Sequence, residues 1–227
     1  MNKLITAILV LMLSSFTVAQ AEIGLKIGLA TSGGVFEATG TETEDSEKNK
    51  SEDAMGVFGY SSIFIEKTLP VISRVSIGYN RVFGTLESET QSNTRTDGNP
   101  SRADTTSITN TVQVDFTNFN TLYASLRVTD NFFIKTGRMS VDVTTNEVLG
   151  TGSGYGNTSL DGSMVGAGYH HDFDNGMFVR AEASRMEFDG KKLTSTATCV
   201  GTGCANNTIT VDQLNGASAM ISVGRSF

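Results

Sequence analysis

From residue 23 to residue 227 the apolar side chains fall on every second position, segment after segment, with no sustained 3.6-residue spacing. Such alternation builds strands with one apolar and one polar face, and it excludes a helical domain. The last segment shows the pattern plainly: Ala217, Ala219, Ile221 and Val223 share one phase, and the chain ends on Phe227. A composition of 24 Gly and only 2 Pro suits paired strands, where proline would remove a ladder donor.

Eight alternating segments can be read: 23–35, 54–67, 71–83, 106–128, 132–144, 160–170, 177–188 and 208–227. Short connections at 68–70, 129–131 and 171–176 alternate with long polar insertions at 39–53, 84–105 and 145–159 and a fourth before residue 208. Asn175-Gly176 is a strong turn signal. The 106–128 stretch could be one strand or a hairpin. Ile108, Val112, Val114, Phe116, Leu122, Ala124, Leu126 and Val128 keep one parity throughout, so it is expected to be a single strand projecting beyond a bilayer, with those residues on one face.

The N-terminus has the form of a secretory leader. Lys3 precedes an apolar stretch over 4–18, and Ala19-Gln20-Ala21 offers a small-x-small cleavage site, so residues 1–21 are expected to be removed and 22–227 to form one domain. Ser14, Ser15 and Thr17 interrupt the run, which falls short of the roughly 20 apolar residues of a spanning helix. A net charge of −7, without any basic cluster, argues against nucleic-acid binding.

Leader, eight alternating segments, short turns opposite long loops and a terminal phenylalanine together resemble the small bacterial outer-membrane barrels: the OmpA transmembrane domain, OmpX and the opacity proteins. The resemblance implies an all-β, eight-stranded antiparallel up-and-down transmembrane β-barrel with long extracellular loops, in the outer membrane of a Gram-negative bacterium. It also implies contact with outer-membrane lipids and lipopolysaccharide, and recognition of the last strand by the barrel-assembly machinery through Val223 and Phe227. The third residue from the end, often aromatic or apolar in that family, is Arg225 here.

A barrel of eight strands fills its own interior, which excludes a wide pore. If the apolar parity faces lipid, the other parity sends Arg74, Tyr123, Arg127, Thr136, Arg138, Arg180, Glu182, Ser184, Ser218 and Ser222 inward. Buried charges need partners, so Arg138 or Arg180 with Glu182 is expected to pair across the lumen, with Arg74 and Arg127 as further members of the network. The alternatives for that network are a structural plug and a narrow gated path for small or ionic solutes.

Catalytic, cofactor and metal residues are not expected. The histidines, His170 and His171, sit at the end of a segment that descends to the periplasmic side, and Asp172 and Asp174 beside them read as turn residues. Cys199 and Cys204 are expected to form a disulfide at the tip of the fourth loop, since two thiols alone cannot complete a zinc site. Residues 39–53 hold six acids and two lysines without a calcium-loop spacing, and they read as a solvated loop. The leading expectation is a non-enzymatic surface protein, a rigid barrel whose polar loops serve envelope integrity or an extracellular partner the sequence does not name. A solute channel comes second and a lipid-modifying enzyme third.

Overall fold

The computed structural model describes residues 23–44, 47–98, 105–149, 154–196 and 207–227. The leader over 1–21 and the pair Cys199 and Cys204 lie outside the described residues. Eleven strands follow in order: β1 (Leu25–Glu44), β2 (Glu47–Leu69), β3 (Ile72–Val82), β4 (Leu86–Glu87), β5 (Gln91–Gly98), β6 (Thr105–Arg127), β7 (Phe132–Val148), β8 (Thr158–Asp172), β9 (Met177–Phe188), β10 (Lys191–Thr194) and β11 (Thr208–Ser226). Eight of them make the wall, in the order β1-β2-β3-β6-β7-β8-β9-β11, and β11 pairs antiparallel with β1 to close it. The expected eight-stranded up-and-down barrel is the observed fold.

The register sets its dimensions. Gly28 faces Phe64, which faces Asn80, then Thr121, Met139, Gly162, Phe188, Leu214 and finally Ala38 on the starting strand. One circuit therefore climbs from residue 28 to residue 38, a stagger of 10 residues over the 8 strands of the ring. That stagger tilts the strands by roughly 35–45° and leaves an interior just wide enough for side chains.

The two ends of the barrel differ. One end carries Ile23, Phe227 and the tight turns at 70–71, 128–131 and 173–176. At the last turn Gly176 takes a φ of 78°, and the Asn175 side chain accepts a hydrogen bond from the Met177 N–H at 3.0 Å. Glycine is needed there because other side chains rarely adopt that conformation. At the opposite end the described residues of two insertions read as loops, 39–53 and 84–105, form strands over much of their length, which corrects the sequence expectation there. Residues 39–44 and 47–53 continue β1 and β2 as a paired ladder, with the Thr39 hydroxyl donating to Asp53 at 2.9 Å. In the insertion over 84–105, β4 and β5 lie along β6. Scarce apolar residues do not prevent pairing here, because ladder bonds and β-branched threonines stabilise the ribbon.

The expected single strand over 106–128 is present as β6, but its residues do not share one face. Thr117 faces Asp142 while Asn120 faces Ser140, so β6 carries an extra residue there, and Asn118 adopts a φ of 51°. This bulge flips the parity. Phe116 packs against the inner core, as does Phe119, whereas Leu122 and Leu126 point outward.

At the seam Leu25 and Phe227 exchange two backbone hydrogen bonds, of 3.1 and 2.7 Å. Beside it Gly28 and Gly224 face each other. A Cβ on Gly224 would lie 2.3 Å from the Ile27 carbonyl oxygen and 2.8 Å from the Gly28 Cα, both main-chain atoms. Gly224→Val is expected to cost at least about 1–3 kcal/mol and to abolish the fast-migrating band of unheated protein on SDS gels. Gly33→Ala, where nothing lies within 4 Å, should keep that band.

Candidate functional site

The interior is stratified into three layers. Nearest Ile23 and Phe227 is a vestibule of about 790 Å³, lined by Lys26, Ser76, Ser125, Arg127, His170, Asp172 and others. Its inner end is a layer of ion pairs. The Glu66 carboxylate accepts two hydrogen bonds from the Arg180 guanidinium, at 3.0 and 3.2 Å, and one from the Tyr123 hydroxyl at 3.2 Å. Lys26 Nζ stands 3.6 Å from the same carboxylate. Lys135 Nζ donates to Glu182 at 2.5 Å and lies over the Tyr123 ring at 4.4 Å from its centroid. Glu182 is also 3.7 Å from Arg180, so the pairs form one connected network. The Arg180 guanidinium is sandwiched among the rings of Phe64, Phe133 and Phe178, which shield it from water.

Beyond the charges the lumen turns apolar. A cavity of about 40 Å³, bordered by Tyr60, Asn80, Thr121, Lys135 and Ser218, has room for no more than a few waters. Above it Val82, Leu86, Phe119, Met139, Val141, Val143, Leu160, Met164, Met186 and Phe188 form a buried cluster, with Phe36, Phe58, Tyr60 and Phe116 packed on it. Adjacent rings meet at centroid distances of 5.6 to 6.4 Å, a packed aromatic core rather than a passage.

Each residue singled out from the sequence has a definite place. Arg180 and Glu182 are buried in the ion-pair layer. Arg127 stands at the vestibule, 3.8 Å from Asp172. Arg74 is exposed at the vestibule rim, where it donates to the Val128 carbonyl at 3.0 Å. Arg138 is a correction: it is exposed on the outside of the wall, as is Thr136, because on β7 it is Phe133, Lys135 and Met139 that point inward. Val223 and Phe227 face outward, and the Arg225 guanidinium lies 5.7 Å from the Phe227 ring centroid.

Sequence reasoning did not find Lys26, Glu66 and Lys135. The available signal was a charge at the inward phase next to lipid-type residues, as with Lys26 between Leu25 and Ile27, or Lys135 after Ile134. His170 is buried. Its Nδ1 accepts from Arg180 at 3.4 Å and its Nε2 lies 2.9 Å from Asp172, which places the ring proton on Nε2. The Ser226 hydroxyl reaches Asp172 at 3.4 Å rather than the imidazole.

No known protein-family model matches the sequence, and no curated protein sequence matches it. Among solved structures the chain is similar to the outer membrane protein OprG of Pseudomonas aeruginosa, at 11% identity and a TM-score of 0.53 over 91% of this chain and 97% of that one. It is also similar to the outer membrane protease OmpT of Escherichia coli, at 11% identity and a TM-score of 0.50 over 94% of this chain and 100% of that one. At such identities the likeness is one of fold, and the fold is that of the outer-membrane β-barrels, in agreement with the resemblance drawn from the sequence.

Proposed function

We propose that the protein is an integral protein of a Gram-negative outer membrane, acting without catalysis as a sealed barrel that holds strand-built hairpins outside the bilayer. An outward belt of apolar side chains, among them Ile27, Ile65, Ile77, Leu122, Leu126, Ile134, Val165, Val179, Ile221 and Val223, supports the membrane placement. The hairpins are long. β1 and β2 run for 20 and 23 residues, and at about 3.3 Å per residue and a tilt near 40° a 20-residue strand rises roughly 50 Å, about twice the apolar band of such barrels. The lumen is the observation that carries the reading: an ion-pair layer and an apolar cluster close it in series. In this reading Val223 and Phe227 form the signal for barrel assembly, and an extracellular partner would meet the hairpins.

The contending reading is a narrow gated channel, favoured by the size of the vestibule. Planar-bilayer recordings separate the two. Purified protein is expected to give no conductance steps, and Glu182→Gln none either, because the apolar cluster remains. Reproducible steps from the wild-type protein would sink the sealed-anchor reading. A change in outer-membrane lipid chemistry on deletion of the protein would sink the non-enzymatic part of it.

A further inference from the structure

The outer wall carries its own charge pattern. Three arginines, Arg81 on β3, Arg138 on β7 and Arg185 on β9, are exposed on the outside of the barrel, one on every second strand. The register gives their heights. A stagger of 10 residues over 8 strands is a climb of about 1.25 residues per strand. Along the circuit from Gly28, Arg81 lies one residue beyond Asn80 on the second step, Arg138 one short of Met139 on the fourth, and Arg185 three short of Phe188 on the sixth. The three therefore lie within about one residue rise, ~3 Å, of a common height. Alternate strands stand about 10 Å apart, so the guanidinium groups form an evenly spaced row.

The row marks a boundary. Below it the outward residues are Tyr79, Leu122, Ile134, Val165, Ala183, Ala181 and Val179, the apolar belt. Above it, on β7, β8 and β9, they are Ser140, Asp142, Asp161 and Glu187. The row sits at the end of the belt away from Ile23 and Phe227, the outer side of the membrane in the placement proposed above. Asn120 and Ser163 fill the outward positions between the arginines at nearly the same height. Arg81 donates to Asn118 at 3.2 Å, and among the described residues neither Arg138 nor Arg185 has a hydrogen bond or ion pair. Two guanidinium groups held at a lipid boundary with all their donors free are arranged for anionic oxygens from the membrane itself.

We infer that Arg81, Arg138 and Arg185 form a binding row for the phosphate groups of a phosphorylated glycolipid in the outer leaflet. A guanidinium engages phosphate through two parallel N–H···O bonds, which a hydrated ammonium does not match. Ser163 adds a neutral donor between Arg138 and Arg185, and the apolar wall below takes the acyl chains. The carboxylates at Asp142, Asp161 and Glu187 lie above the row, so they repel a headgroup that rides too high and favour one seated at the arginine level. This inference rests on the membrane placement proposed above.

The test uses the full-length folded protein in detergent micelles, titrated with diphosphoryl lipid A and followed by native mass spectrometry. The wild-type protein is expected to bind diphosphoryl lipid A at least about tenfold more tightly than lipid A stripped of its phosphates. The triple variant Arg81→Gln, Arg138→Gln, Arg185→Gln should lose a similar factor, while Lys192→Gln, on the distant β10, should lose none. Equal binding of the two forms of lipid A by the wild-type protein would overturn the inference without any variant being needed. So would a folded triple variant that binds as the wild type does. Phosphatidylglycerol binding as tightly as diphosphoryl lipid A would overturn the assignment to a glycolipid. The same gels run unheated and boiled distinguish the failures: a barrel that stays intact and ignores lipid A refutes only this inference, whereas a chain that needs no detergent and shows no mobility shift refutes the membrane reading beneath it.

Discussion

Glu66→Ala is expected to lower the unfolding free energy of the barrel by about 3–5 kcal/mol, measured as the urea midpoint for loss of the unheated fast band or of β-sheet circular dichroism from vesicles. Glu66 is 2% exposed and Arg180 4%, and the carboxylate is the acceptor for both guanidinium nitrogens and for the Tyr123 hydroxyl. Removing it strands Arg180 among Phe64, Phe133 and Phe178, with only the longer contact to Glu182 left as a counter-charge. The loss is therefore the penalty of an unpaired buried cation rather than the value of one ion pair. That distinction has its own check. Glu66→Leu combined with Arg180→Met removes both charges and should recover most of the stability, a strongly non-additive cycle. If Glu66→Ala cost less than about 1 kcal/mol, water would have to reach Arg180, and the layer would not be a seal.

The barrel was legible because its strands obey one rule twice. On β9, Val179, Ala181 and Ala183 face outward while Arg180 and Glu182 face inward; beyond Arg185 the signs exchange, with Met186 and Phe188 inward and Glu187 outward. On β7 the same exchange falls between Ile134, which is outward, and Met139, Val141 and Val143, which are buried inside. Alternation of period two survives the exchange, so the strands could be counted from their spacing alone. The facing could not be read with a single rule that apolar means lipid. That rule holds only as far as the belt extends, and it sent Arg138 inward. The inversion point was in the sequence all along: the apolar phase changes parity without an extra residue where the wall leaves the bilayer. At β6 an extra residue at the bulge by Asn118 masks it, and the apolar residues keep one parity while changing face.

Loops were misjudged for a related reason. Residues 39–53 and 84–105 lack the apolar residues that mark a buried strand, yet most of them pair. Their order comes from neighbours distant in sequence: the outer part of β1 lies between β2 and β11, and the Tyr155 hydroxyl, from the connection between β7 and β8, donates to Glu42 at 3.0 Å. Short-range pattern carries no trace of such contacts.

The second large effect concerns the apolar cluster. Phe188 is 5% exposed and its ring stands 6.1 Å from that of Phe119 and 6.4 Å from that of Phe36. Phe188→Ala should cost about 3–5 kcal/mol, since the rigid wall around it cannot collapse into the space. Phe119→Ala should cost a similar amount, and the pair together less than the sum, because the two rings lose the same contact. Conductance should not follow stability. A cavity lined by Met139, Met164, Met186 and the remaining rings is apolar and stays dry, so it offers an ion no hydration. Beneath it, Lys135 with Glu182 and Arg180 with Glu66 still span the lumen. The double phenylalanine variant is therefore expected to unfold at lower urea yet to remain silent in planar bilayers, because two independent layers stand in series. Conductance from that variant alone would show that the ion pairs do not close the barrel and that the aromatic layer is its only gate.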